Sequence, residues 1–247
     1  SSQTILGVTV PVASLKSQVS TYLAANGGKA DANALYTVWG GANDLLTAQA
    51  VAPSAPTQVP VIIGSAVADQ VGIVGSLKAA GAQYIVVPTI PDIGLTPAAR
   101  AGGAAGMAGG TALSTAYNNA LFGGLAQAGL QVIPVDTFHL LQEIVASPAE
   151  YGFVNVTSPG CAGGVGASSL TCNPSSYVTP DAYSSYLFAD GIHPTTATHQ
   201  MLGQYTLSIL EAPRLQQVLT RSAQTVGRSR ADQVAFHTTG RPADGMR

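Results

Sequence analysis

Three short apolar runs set the strongest limit on how this 247-residue chain can fold. They lie at residues 34–39 (Ala-Leu-Tyr-Thr-Val-Trp), 83–87 (Gln-Tyr-Ile-Val-Val) and 130–135 (Leu-Gln-Val-Ile-Pro-Val). Each follows a segment with helical spacing. In residues 10–26, Val12, Leu15, Val19, Tyr22 and Leu23 recur at that spacing and Gly27-Gly28 stops the run; residues 61–80 and 111–127 precede the second and third strands. Strands that are nearly all apolar, rather than alternating, need cover on both faces. Helix–strand alternation supplies it by running the strands parallel, so an α/β fold is expected.

Beyond the third strand, a helix is expected over residues 137–146, then a Gly/Ser/Pro-rich loop, then a helix opening after Pro194 and running to about residue 210. The Gly/Ala stretch at 101–110 reads as a mobile loop. Periodicity fades from Pro213. The domain is therefore placed at residues 1–212 and a linker-like tail at 213–247.

Composition narrows the function classes. Charged residues are 9% of the chain, against about 25% in an average soluble protein, while 46% is hydrophobic, so disorder is excluded. No run of about 18 uninterrupted strongly apolar residues is present, and Ser1-Ser2-Gln3-Thr4 lacks the basic start of a signal peptide; a soluble chain is expected. The tail carries six arginines against Asp232 and Asp244, a net +4, and the body before it −6. These arginines are spaced out without interleaved aromatics, which argues against nucleic acid as a partner.

Cys161 and Cys172 are the only cysteines and share the Gly-rich loop. An isolated close pair suits a disulfide better than a metal site, which needs more ligands nearby; two unrelated thiols are the remaining reading. A ring of this size would constrain the unfolded chain by roughly 3 kcal/mol. It would also imply an oxidising compartment.

Two segments carry chemistry. In Gly41-Ala42-Asn43-Asp44, just past the first strand, the Asn43 amide could donate to a developing oxyanion, or Asn43 or Asp44 could simply cap the next helix. In Asp190-Gly191-Ile192-His193-Pro194, the carboxylate could accept from Nδ1–H of His193 and leave Nε2 free as a general base; a plain Asp-Gly turn with a surface histidine is the alternative. His199 reads as structural or solvated, and His139 and His237 have no visible partner. No metal-ligand spacing or phosphate-cradling glycine loop occurs, so no metal or organic cofactor is expected.

Taken together these segments resemble the GDSL or SGNH hydrolases, whose third block is Gly-x-Asn-Asp and whose fifth is Asp-x-x-His. Residues 86–97 (Val-Val-Pro-Thr-Ile-Pro-Asp-Ile-Gly-Leu-Thr-Pro), 151–157 and 186–190 also look like this family's lipase/esterase branch. The resemblance covers about residues 10–212 and is most similar to passenger domains of bacterial autotransporter esterases. It implies a three-layer α/β/α, flavodoxin-like parallel sheet, a small-molecule or lipid ester as substrate, and an extracellular or outer-membrane location reached through the periplasm. It further implies that the tail from Pro213 leads to an outer-membrane barrel that these residues do not include.

By the same resemblance His193 is the base, Asp190 its orienter and Asn43 an oxyanion-hole donor. The family's Gly-Asp-Ser-Leu block, with its nucleophile, has no counterpart here. Ser1 and Ser2 lack the flanking strand, while Gly64-Ser65 and Gly75-Ser76 fall in an expected helix. The expectation is a carboxylic ester hydrolase working through a serine acyl-enzyme, with the serine on a missing N-terminal segment of the same protein and the chain alone inactive. Losing the family's first two strands would leave residues 35–39 on an exposed sheet edge. Acyl transfer or phospholipase action on the same site, and a non-catalytic binding or structural passenger, are the rival readings.

Overall fold

The computed structural model describes residues 2–5 and 8–239, with side chains from Val12 onward except at residues 215, 218, 219, 229 and 232–239. A two-stranded antiparallel hairpin, β1 (Ser2–Ile5) and β2 (Val8–Pro11), comes first. The expected first helix accordingly starts later, as α1 (Leu15–Ala25), where the Ser14 hydroxyl accepts from Ser17 N–H. Gly28, in the left-handed region, ends it by donating to the Leu23 carbonyl.

The three apolar runs become β3 (Leu35–Thr37), β4 (Tyr84–Pro88) and β5 (Ile133–Val135), a parallel sheet in the order β3-β4-β5. Leu35 stands opposite Tyr84 and Val86 opposite Ile133. Central β4 is buried on both faces. Ile85 and Val87 join one core with α1, α3 (Gln58–Ala79) and α5 (Gly103–Gln127), while Val86, equally buried, lies outside that cluster. Each such buried aliphatic side chain is worth roughly 1.5–3 kcal/mol. Helix α2 (Ala42–Val51) adds Leu45 to the same core. Among the described residues β3 pairs only with β4, so its other side is a sheet edge, with Leu35 50% exposed.

α3 is long and apolar enough to cross a membrane by length and composition, with a mean hydropathy of 1.5. Its Ile63, Val67, Ile73, Val74 and Leu77 instead pack into the core, where Gln70 donates to the Val38 carbonyl.

Residues 101–110 are not a loop. They end α4 (Pro97–Ala101) and begin α5. The glycines there permit contact rather than motion: a Cβ on Gly110 would lie 2.7 Å from the Gly94 backbone, and one on Gly106 would meet the Ala99 carbonyl. Helix α6 (Thr137–Ala146) has the expected limits and is capped by Asp136, which accepts from His139 N–H.

A second parallel pair was not expected: β6 (Asn155–Pro159) with β7 (Tyr186–Phe188), the latter preceded by the short α7 (Ala182–Ser185). The helix after Pro194 also runs further than expected. As α8 (Thr196–Thr239) it continues past the expected end near residue 210 and through Pro213, where periodicity fades. The chain divides into two compact units, residues 1–200 and 201–247, and α8 spans the division.

Candidate active site

The turn at 190–193 is built by β7 and the strand-like return behind it. Ala189 N–H donates to the His193 carbonyl at 2.8 Å and Thr195 N–H to Leu187 at 3.0 Å, closing a tight hairpin around Gly191 and Ile192. Within it Asp190 is 4% exposed. Its Oδ1 accepts the N–H groups of Ile192 (2.9 Å) and His193 (2.7 Å), and its Oδ2 accepts that of Ser169 (2.8 Å).

The His193 Nδ1 lies 2.8 Å and 3.0 Å from the two carboxylate oxygens. Burial pushes the Asp190 carboxyl up, but the Ile192 and His193 N–H groups, the imidazole and Ser169 together outweigh it and hold it at about 2. An ionised carboxylate only accepts, so the proton sits on Nδ1 and the Nε2 lone pair is free. The ring itself is accessible, with 58% of the His193 side chain exposed. An oriented, solvent-facing imidazole of this kind can take a proton from a hydroxyl.

The β4–α4 loop holds this turn from one side. Asp92, buried, accepts from Gly94 N–H, the Thr111 hydroxyl and the Gln142 amide. Thr96 caps α4 by accepting from Ala99 N–H, and the free Ala98 N–H at that helix start donates to the Gly191 carbonyl at 2.9 Å. The 190–193 turn is thereby tied to the segment that follows the C-terminal end of β4.

Asn43 sits in the first turn of α2, directly past the C-terminal end of β3. Gly41, at φ 102°, is the N-cap of α2, so neither Asn43 nor Asp44 holds the cap position; both lie in the first turn. A side chain on Gly41 would run into the Tyr117 ring, and one on Gly40 into Leu15. Burial, with the Asp44 charge adding to it, pushes the Tyr117 hydroxyl far above its ordinary value; it stays a neutral donor, to Gln70 Oε1 at 2.5 Å, with the Gly40 carbonyl at 3.3 Å. The Asn43 amide is exposed and, among the described residues, makes no hydrogen bond. β3 and β4 are parallel neighbours, so Asn43 follows the C-terminal end of one strand and the segment that bonds Gly191 follows the C-terminal end of the other.

Cys161 and Cys172 form a disulfide with Cα atoms 5.9 Å apart, closing a ring that contains Ser169. Ser65 and Ser76 lie within α3, and the Ser76 hydroxyl donates to Gly72. His199 is exposed in the first turn of α8. The His237 side chain lies outside the described residues, as do Ser1 and residues 240–247. His139 is a correction: its Nδ1 lies 2.6 Å from Asp136 Oδ2. The Asp-x-x-His spacing of residues 136–139 was visible in the sequence. The roles of Ser169 and Ala98 were not, because a backbone N–H leaves no side-chain signature.

An α/β sheet with an Asp–His pair and a Gly-x-Asn-Asp turn past its first parallel strand is the arrangement the GDSL resemblance implies. The chain matches the GDSL-like lipase/acylhydrolase family over residues 2–206 and belongs to it. It is 29% identical to Lipase 1 of Photorhabdus luminescens, over 83% of this chain and 40% of that protein. It is 36% identical to esterase EstA of Pseudomonas aeruginosa, over 74% of this chain and 27% of that protein. An uncharacterised protein from the trpE-trpG intergenic region of Pseudomonas putida is 34% identical over 85% of this chain and 34% of its own length. The chain thus spans between about a quarter and two fifths of these curated relatives.

Proposed function

We propose that this chain carries the C-terminal part of the hydrolase domain of a carboxylic ester hydrolase that works through a serine acyl-enzyme. The Asp190–His193 pair carries the reading: a buried carboxylate held by three backbone N–H groups fixes the tautomer of an accessible imidazole. The names of the lipase and esterase relatives agree with it. The nucleophilic serine lies on an upstream segment outside these 247 residues, since none of the serines here has a Gly-Asp-Ser setting.

In the reaction the serine Oγ attacks the ester carbonyl and its proton passes to His193 Nε2. The carbonyl oxygen becomes an oxyanion that accepts from the Asn43 amide. Collapse of the tetrahedral intermediate breaks the bond to the alcohol oxygen, which leaves with the proton from Nε2. Water, deprotonated by the same nitrogen, then releases the acid and returns the serine. Asp190 stays ionised throughout and stabilises the imidazolium. An alcohol in place of water would give acyl transfer by the same steps.

The disulfide fits an oxidising compartment, and we place the whole protein at the cell surface or outside it, as the passenger of an autotransporter whose barrel follows the tail. Hydrolysis of a short-chain aryl ester tests the function. The chain alone should not exceed background, and the chain joined to its upstream segment should turn over. Strong serine-dependent activity from the isolated chain would overturn the assignment.

A further inference from the structure

The segment cross-linked by Cys161 and Cys172 touches residues 189–191 at three places. Cys161 N–H donates to the Ala189 carbonyl at 2.9 Å, immediately before Asp190. Ser169 N–H donates to Asp190 Oδ2 at 2.8 Å, the oxygen closer to the imidazole. The Val165 carbonyl lies over Gly191, so near that a Cβ there would approach it to 2.7 Å. Between Cys161 and Cys172 the chain has no strand or α-helix, only a single 3-10 turn at Gly164–Gly166. Its own secondary structure therefore fixes little of its path. The cross-link at its two ends limits how far Ser169 can drift.

We infer that the disulfide ring is a positioning element of the Asp–His pair, and that Ser169 is a positioning residue acting through its backbone N–H on Asp190. This rests on the reading of Asp190 and His193 as orienter and base. With the ring closed, Oδ2 has two partners, Ser169 N–H and Nδ1–H, and the carboxylate cannot turn away from the imidazole without losing one. With the ring open, the Ser169 donor is free to leave. Oδ2 then keeps the imidazole alone and swings more freely about the two N–H groups on Oδ1. The redox state of two cysteines outside the site thereby sets how firmly His193 presents Nε2.

The test is nuclear magnetic resonance on the full chain, which needs no turnover and so fails or succeeds apart from the esterase reading. Two variants are compared with the parent: Cys161→Ser/Cys172→Ser, which opens the ring, and Ser169→Pro, which keeps the ring and removes only the N–H. Each should speed solvent exchange of the His193 Nδ1–H by about tenfold, the size expected for one hydrogen bond to a charged group. Each should also raise the Asp190 titration midpoint by about one pH unit. Reducing the parent with dithiothreitol should reproduce the double variant and reoxidation should reverse it. A ring that serves folding alone would lower the melting temperature and leave the exchange rate and the Asp190 midpoint of the folded molecule unchanged, and that result overturns the inference. If the double variant loses its fold, Ser169→Pro decides by the same two signals.

Discussion

The chain holds two Asp-x-x-His turns, and only one buries its carboxylate. At 190–193 the carboxylate side chain is 5% exposed and collects three backbone N–H donors from two segments. At 136–139 the carboxylate is 45% exposed and caps α6 through a single N–H, that of His139, beside a histidine side chain that is 72% exposed. The imidazole contact is shorter in the second pair, 2.6 Å against 2.8 Å. Distance between the partners is therefore not what separates them. The difference lies in what holds the carboxylate: a hairpin, a helix start and a disulfide ring converge on Asp190, and a helix N-terminus alone holds Asp136.

The sharpest way to break this comparison is to remove each histidine from the protein joined to its upstream segment. His193→Ala should lower kcat by about 10⁴-fold or more, the usual loss when one member of a catalytic triad is removed, and His139→Ala should leave kcat within about twofold of the parent, as expected for a surface residue outside the site. Equal losses would show that the turns are interchangeable in a way the burial does not allow. Next in size is the donor at the other anchor of the site. Asn43→Ala should slow turnover by roughly 10²–10³ with a smaller change in KM, because the amide meets charge that develops only in the transition state.

The comparison also predicts an asymmetry in acid. The folded Asp190 carboxyl is held at about 2, below its ordinary 3.8, so the stabilisation it contributes is full above about pH 4 and is lost as pH falls toward 2. The amount is on the order of 2 kcal/mol. Urea titrations at stepped pH should show Asp190→Asn flattening the acid limb of the stability curve. Asp136→Ala should instead cost about 1 kcal/mol, the worth of a helix cap. If Asp190→Asn leaves the acid limb unaltered, the hydrogen bonds assigned to its carboxylate are not formed in solution.

Much of this arrangement could be read in the sequence because it is locally encoded. The apolar runs of β3, β4 and β5 and the periodicity of α1, α3 and α6 lie within single segments, as does the Asp190 to His193 spacing. What escaped depends on distant partners. β6 is mostly polar (Asn-Val-Thr-Ser-Pro) and β7 is three residues long, so each is identifiable only by the other, across the intervening residues 160–185. The glycines at 101–110 suggested mobility, but they permit packing against Gly94 and Ala99, which no window around them reveals. Fading periodicity suggested an end to α8 near residue 210, where the structure carries the helix on. At the candidate site, the sequence pointed to Asp190, His193 and Asn43 and missed the backbone donors that hold Asp190.

The central claim is that His193 activates a serine lying outside these 247 residues, and labelling with a fluorophosphonate tests it most directly. The protein joined to its upstream segment would be labelled, digested and mapped by mass spectrometry, beside its His193→Ala variant. The account predicts one modified serine, in the upstream segment, and loss of that modification in the variant. A label on any serine of the present chain, or equal labelling with and without His193, would contradict it.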